Sequence, residues 1–294
     1  TARSDGVSFS PSGDAIAVAH LYYPYVAVYP WSASGFGTRF SNPATLPTGN
    51  SSDVAFSPAG DAIAVAHSGS LYLAVYPWSS SGFGTKFADP STLPTNNGEG
   101  VSFSPSGDAI AVAHSSSPYV SAYPWSGSGF GTKFANPATL PTGNGAGVAF
   151  SPAGDAIAVA HNRSPYVSVY PWSGSGFGTK FSNPATLPTG NGSDVAFSPA
   201  GDAIAVTHLY YPYVVVYPWS ASGFGTKFGN PATLPTGNGA GVAFSPAGDA
   251  MAVAHDSSPY VSAYPWSASG FGTKFANPAT LPTGNGSDVA FGEI

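Results

Sequence analysis

The sequence contains no cysteine and very few charged residues, and each shortage excludes a class of protein. Without cysteine there is no disulfide and no thiolate metal site. Only 7% of the 294 residues are charged, and eight Lys and Arg do not make a phosphate-binding surface, so we expect no nucleic-acid partner. No apolar run approaches the roughly 18 residues of a transmembrane helix, so we expect a soluble chain without membrane insertion.

The first residues contain neither methionine nor the apolar core of a signal peptide. We therefore expect an excised or processed piece of a protein, and the compartment and source stay open. Turn-forming residues are abundant: 37 Gly and 29 Pro interrupt every stretch long enough for a helix. Because 43% of the residues are apolar and 14% aromatic, the chain is nevertheless expected to fold around a core, in an all-β fold.

An internal repeat determines the predicted architecture. One motif phenylalanine recurs every 47 residues, at Phe9, Phe56, Phe103, Phe150, Phe197, Phe244 and Phe291. Complete repeats span 6–52, 53–99, 100–146, 147–193, 194–240 and 241–287. In the fourth, period-two alternation and turn signals predict four strands, namely A (147–151), B (156–161), C (166–172) and D (around 179–182). This is the period of a propeller blade, and residues 1–294 are predicted to form one six-bladed β-propeller with four antiparallel strands per blade.

A seventh copy of strand A, 288–291, is predicted to be an extra closing strand. It can pair with strand B of the first blade (15–20) and displace residues 7–9. Alternatively, residues 7–9 keep that place, and the C-terminal copy is left over or docks on another molecule as an added strand. We expect the displacement, because the chain ends soon after this strand.

The segment Val148-Ala-Phe-Ser-Pro-Ala-Gly-Asp-Ala-Ile-Ala-Val159, followed by an aromatic strand that ends in Trp172, resembles the WD40-type repeat. The resemblance covers the whole chain at the level of blade layout and implies a propeller used as an interaction scaffold. Two features of that family differ here: its Gly-His pair before strand A is absent, and the tryptophan precedes Ser instead of Asp. The near identity of the repeats is compatible with recent amplification of one blade or with design.

Differences between the repeats concentrate in the B–C loop and in the segment before strand A, which emerge on the same face of a four-stranded blade. Blades one and five carry Leu-Tyr-Tyr-Pro in the B–C loop, two steps apart in a ring of six. Exposed tyrosine buries contact area at low entropic cost, so this face is predicted to bind a protein partner. The candidate partner-binding residues are Leu21, Tyr22, Tyr23, Arg163, Leu209, Tyr210 and Tyr211.

The alternative is a multivalent lectin with one aromatic pocket per blade. Aromatic faces beside Asn, Ser and Gly loops suit sugars, and repeated pockets would give avidity. The residues that would form these pockets are Trp31, Trp78, Trp125, Trp172, Trp219 and Trp266. Packing between blades is the competing interpretation of the same residues, and a glycan is the second candidate partner.

Histidine ends strand B in every blade, and Asp follows Gly in every A–B turn. Evenly spaced copies do not bring ligands or carboxylates together, so both positions are interpreted as structural. We expect no metal, no cofactor and no catalysis, because an active site is an asymmetric constellation. A monomer is expected.

Overall fold

The computed structural model describes residues 6–292. The two ends of the predicted domain, 1–5 and 293–294, lie outside the described residues. Within 6–292 the chain forms β-strands, turns and loops, arranged as six sheets of four antiparallel strands in the order A-B-C-D. No helix in this range has the length and apolar character to cross a membrane.

The strands follow the repeat. Blade 1 contains β1 (Val7–Phe9), β2 (Ala15–Ala19), β3 (Val26–Ser32) and β4 (Gly35–Phe36), and blade 2 contains β5 (Ser51–Phe56), β6 (Ala62–His67), β7 (Leu73–Ser79) and β8 (Gly82–Phe83). Blade 3 contains β9 (Gly98–Phe103), β10 (Ala109–His114), β11 (Val120–Ser126) and β12 (Gly129–Phe130), and blade 4 contains β13 (Gly145–Phe150), β14 (Ala156–His161), β15 (Val167–Ser173) and β16 (Gly176–Phe177). Blade 5 contains β17 (Gly192–Phe197), β18 (Ala203–His208), β19 (Val214–Ser220) and β20 (Gly223–Phe224), and blade 6 contains β21 (Gly239–Phe244), β22 (Ala250–His255), β23 (Val261–Ser267) and β24 (Gly270–Phe271).

The six-bladed propeller and the bounds of strand B in blade 4 (β14) are as predicted, whereas the prediction for strand D was wrong. In blade 4 strand D is the two-residue β16, which pairs with the end of β15 and not with a strand at 179–182. Gly176 has φ +96°, a conformation that glycine adopts without steric cost, and it closes a tight hairpin inside the segment predicted to be only a turn. The N–H of Phe181 then donates to the Val169 carbonyl (2.9 Å), so the chain returns to the edge of strand C without forming a strand.

Each blade has two unlike faces, which we call the large face and the small face. The large face carries the Ile and Val of strand B with the Tyr and Trp of strand C. The small face carries the strand-B alanines. The small face of blade 3 meets the large face of blade 4, where Ala111, Ile157 and Tyr170 belong to one buried core. A phenylalanine after strand D completes each contact: the ring centroid of Phe134 lies 5.1 Å from that of Trp172, edge to face.

The A–B turn is held by a buried serine. In blade 4 the Ser151 hydroxyl donates to the Asp155 carboxylate (2.7 Å) and accepts the N–H of Ala156 (2.9 Å). Every other blade has the same Ser–Asp hydrogen bond. The predicted structural role of this aspartate is therefore correct in kind, but its main partner is a hydroxyl group.

The pairing of the innermost strands differs from the predicted ring closure. Strand β1 stays paired with β2, so the C-terminal copy does not displace residues 7–9. Instead, residues 288–291 occupy a place of their own between β21 and β1. Asp288 lies against Gly241 in the way that Asp53 lies against Gly6, and its carboxylate accepts the N–H of Val7 (2.8 Å). The described chain thus has six complete blades around a channel lined by seven innermost segments.

Candidate functional site: the variable face and the channel mouth

The B–C loop and the segment before strand A form one surface, as predicted from their connectivity, and we call it the variable face. Hydrogen bonds join the segment before strand A to the B–C loop of the same blade, as blade 4 shows. The Asn144 N–H donates to the Asn162 side chain (2.9 Å), and the Thr142 hydroxyl donates to the Ser164 carbonyl (2.7 Å). The variable positions therefore sit on a supported surface rather than on free loops.

The backbone of the B–C loop is constrained. In blade 5, Tyr213 has φ +72° at the end of this loop. The N–H of Tyr213 donates to the Tyr210 carbonyl (2.8 Å), which closes the turn. The Tyr210 N–H donates to the side chain of Asn238, on the neighbouring segment (3.1 Å). A loop fixed in this way presents its side chains in one orientation, which lowers the entropic cost of binding.

The side chains of the four tyrosines singled out from the sequence are exposed to solvent. Tyr22 is 80% exposed and Tyr23 71%, while Tyr210 is 65% and Tyr211 63% exposed. Of the other candidate residues, Arg163 is exposed, and Leu21 and Leu209 are half-buried. With seven innermost segments, blade 6 and segment 288–291 separate blade 5 from blade 1, so the expected two-step spacing of the tyrosine loops becomes three.

The channel opens on the variable face through an acidic mouth, which sequence reasoning missed. Asp53, Glu99, Asp194 and Asp288 line this opening. The carboxylate of Asp53 accepts the N–H of Val101 (2.8 Å), and that of Asp194 accepts the N–H of Val242 (3.0 Å), as Asp288 does with Val7. Burial raises the pKa of Asp194 to about 7 and that of Asp288 to about 6.

Glycine makes room for these carboxylates. A Cβ on Gly6 would lie 2.3 Å from an Asp53 carboxylate oxygen, and one on Gly147 would lie 2.4 Å from that of Asp194. Two neighbouring segments therefore cannot both carry Asp, and around the channel every Asp has Gly on each side. Burial, followed by the charge of Asp288, also raises the pKa of Asp53. The sequence signal was available, since this repeat position is always Gly or Asp.

The tryptophans belong to the interblade core, which corrects the predicted sugar pockets. Five of them are only 7–8% exposed, and each contacts three phenylalanines edge to face. These are Trp78, Trp125, Trp172, Trp219 and Trp266. A sugar ring cannot stack on a buried face. Trp31 of blade 1 is half-buried and has two such contacts among the described residues.

The strand-end histidines are buried, with the exception of half-buried His20. His114 Nε2 lies 3.0 Å from the Ser121 hydroxyl, and His161 has the same contact with Ser168. Burial lowers the pKa of His67, His114 and His161 to about 4, so these rings are neutral at pH 7. Among residues 6–292 no three His, Asp or Glu side chains are grouped to hold a metal ion.

Comparison with known proteins identifies the fold. A solved chain titled Kuenenia stuttgartiensis hydrazine synthase is 16% identical, with a TM-score of 0.72 over 98% of this chain and 89% of that chain. Similarity at this identity shows the fold alone. No family model and no curated protein matches the sequence. The resemblance to WD40-type repeats is thus confirmed as a propeller of repeated blades and not as membership of that family.

Proposed function

We propose that this chain is a non-catalytic binding module that holds a protein partner on its variable face. The observation that carries the proposal is the display of four tyrosines, more than 60% exposed, on two hydrogen-bonded loops. Large apolar side chains held in water are unfavourable unless a partner covers them, and tyrosine is enriched in interface hot spots. The remaining B–C loops carry Ser, Gly, Asn or Asp, so the tyrosines mark two separate contact points.

The charge of the same face indicates the chemistry of the partner. The acidic mouth lies on the variable face, and the chain carries a formal net charge of −6. A protein or peptide with Lys or Arg beside apolar residues complements both features. Basic side chains would approach the carboxylates, and the apolar residues would cover the tyrosine rings.

The non-catalytic part of the proposal rests on the state of the titratable groups. The described histidines are buried, except for half-buried His20, and the repeated A–B-turn aspartates accept hydrogen bonds from serine hydroxyl groups. The three aspartates of the mouth accept backbone N–H bonds and are separated from one another by glycine positions. The serine hydroxyl groups that lie beside a base, such as Ser121 beside His114 and Ser151 beside Asp155, are buried, so none of these pairs presents a nucleophile to a substrate, which covalent catalysis requires.

A displayed random-peptide library tests the proposal directly. Peptides selected on the immobilised chain are expected to combine basic and aromatic or aliphatic residues. They should lose at least tenfold in affinity when Tyr22, Tyr23, Tyr210 and Tyr211 are changed to Ser. Serine already occupies the B–C loop of blade 3, so this variant should melt within about 2 °C of the parent.

The matched control changes Ala153 and Ala200 to Ser on the opposite face. Serine stands at this turn position in blades 1 and 3, so the control alters polarity without altering the fold. It should bind the selected peptides as the parent does. Peptides that bind the tyrosine variant and the parent equally would contradict the proposal. A glycan array on which the parent binds a sugar, while the library yields no peptide, would also contradict it.

A further inference from the structure

The described chain has five interblade cores and one open seam, between blade 6 and blade 1. Buried clusters join each blade to its successor from blade 1 through blade 6. The faces left over are the large face of blade 1 and the small face of blade 6. Cavities of about 570 Å³ on blade 1 and about 330 Å³ beside residues 288–291 mark the opening.

The large face of blade 1 is built for a neighbour that the described residues do not supply. Tyr29 is half-buried, whereas its counterpart in each of blades 2 to 6 is fully buried. Phe36, which packs against Trp31, is 63% exposed. In the five other blades the tryptophan also receives the phenylalanine of the preceding blade, and among residues 6–292 Trp31 has no such ring.

The small face of blade 6 has the complementary gap. Phe275 is the phenylalanine that would enter the next blade's tryptophan contact, and it is 49% exposed. The equivalent ring in blade 5, Phe228, lies 5.2 Å from Trp266. Leu281, further along the same segment, is 38% exposed. One side of the seam therefore lacks a tryptophan, and the other side lacks a phenylalanine.

The seam is one blade wide, because a single innermost segment fills its inner end. Residues 288–291 read Asp-Val-Ala-Phe, the sequence of strand A in blades 2 and 5, and they lie between β21 and β1. In each complete blade, strand A pairs on its outer side with strand B. No strand among the described residues pairs with 288–291. An unpaired strand edge between two apolar faces is a site for β-strand addition.

We propose that the seam binds strands B, C and D of one further repeat of this sequence type, supplied by a separate polypeptide. Its tryptophan receives Phe275, its own phenylalanine enters the contact of Trp31, and its strand B pairs with residues 288–291. Residues 288–291 do not lead into a strand B of their own, because Gly292 stands where every complete repeat has the turn serine, and glycine cannot make that serine's bonds to the turn.

The test uses the full chain and a synthetic polypeptide with the sequence of residues 151–190, which contains strands B to D of blade 4. We expect saturable binding with one polypeptide per chain by isothermal titration calorimetry. Acrylamide quenching of tryptophan fluorescence should fall below the sum measured for the two separate components, because binding covers both Trp31, the most exposed tryptophan of the chain, and the polypeptide's own Trp172. The melting temperature should rise with polypeptide concentration.

Matched controls locate the site. Phe181→Ser in the polypeptide and Phe275→Ser in the chain remove one contact at each side of the seam, and each should weaken binding at least tenfold. Phe228→Ser in the chain alters an equivalent residue at a closed interface and should leave the affinity within about threefold, provided that the variant remains folded by circular dichroism.

A second arm keeps the proposal testable if the free polypeptide aggregates. The same sequence is joined directly after Phe291, and the fused chain should melt higher than the parent, with Phe275→Ser removing most of the gain. Absence of binding at 100 µM polypeptide, together with no gain in the fused chain, would overturn the proposal. A parent chain that dimerises in sedimentation, and that Phe275→Ser makes monomeric, would also overturn it, by assigning the seam to a second copy.

Discussion

Two phenylalanines with identical sequence surroundings provide a direct measure of interblade packing. Residues 131–145 and 272–286 have the same sequence, and the two segments contain Phe134 and Phe275 at the same position. Phe134 is half-buried and lies edge to face on Trp172, while Phe275 is 49% exposed at the seam. Substitution of either by Ala removes the same atoms from the same local sequence, so effects on the unfolded chain cancel.

The expected magnitudes follow from burial. A fully buried Phe→Ala change costs about 3–5 kcal/mol, and an edge-to-face ring pair contributes about 0.5–1.5 kcal/mol. Because Phe134 retains some exposure, we expect Phe134→Ala to lower the free energy of unfolding by about 2–3 kcal/mol. Phe275 keeps half its surface in water, so Phe275→Ala should cost about 0.5–1 kcal/mol. At about 2 °C per kcal/mol for a chain of this size, the melting temperatures should differ by about 4 °C.

Urea unfolding followed by tryptophan fluorescence and by circular dichroism measures both variants. Equal m-values in parent and variants are required, because a changed slope would indicate a different unfolding reaction. Equal losses for the two substitutions would refute the reasoning, since they would mean that Phe275 is as well packed as Phe134 and that the seam is closed.

Three further outcomes are expected. The raised pKa of Asp194 means that the folded state holds a proton that the unfolded state releases. This group's contribution to stability is therefore present below pH 4 and is lost as pH rises towards 7. Asp194→Asn should raise the melting temperature at pH 8 and leave it unchanged at pH 4. The lowered pKa of His114 has the opposite sign, with stability lost as pH falls from about 6.5 to about 4, and the NMR shift of its ring protons should titrate near pH 4 or not before unfolding. Ser151→Ala should cost about 1–2 kcal/mol in urea unfolding because it leaves a buried N–H and the Asp155 carboxylate without their partner, whereas Ser173→Ala on an exposed hairpin should change stability by less than about 0.5 kcal/mol.

The repeat made most of the fold predictable. Its period and its alternation of Ala with Ile and Val predicted both ends of strand B in blade 4 correctly, because one face must meet small side chains and the other large ones. Strand D was misplaced because glycines that usually mark a turn here also form the strand: Gly176 uses its positive φ to start β16. Sequence pattern does not distinguish these two uses of glycine.

The candidate site was predictable only in part. Loop variation identified Tyr22 and Tyr210 as displayed residues, because nothing in the repeat packs on a loop that tolerates both Tyr and Ser. The tryptophans could not be placed, since the same alternation buries or exposes an aromatic ring depending on the neighbouring blade. The acidic mouth depends on contacts between residues 47 positions apart, such as Gly6 and Asp53, which become visible only when the blades stand side by side.

The open seam has a consequence for the way in which the molecule loses structure. When blades touch only their neighbours, stability is a sum of terms along a line, and the two ends of that line hold one interface each while inner blades hold two. Blades 1 and 6 are those ends. Amide hydrogen exchange should therefore be fastest in strands β2 and β22 and slowest in β10 and β14, as a gradient that runs inward from both sides. Structure would then be lost by fraying, one blade at a time. A substitution in a middle blade would change the amide exchange rates of every blade between it and the nearer end, slowing exchange if it stabilises the fold and speeding it if it destabilises the fold.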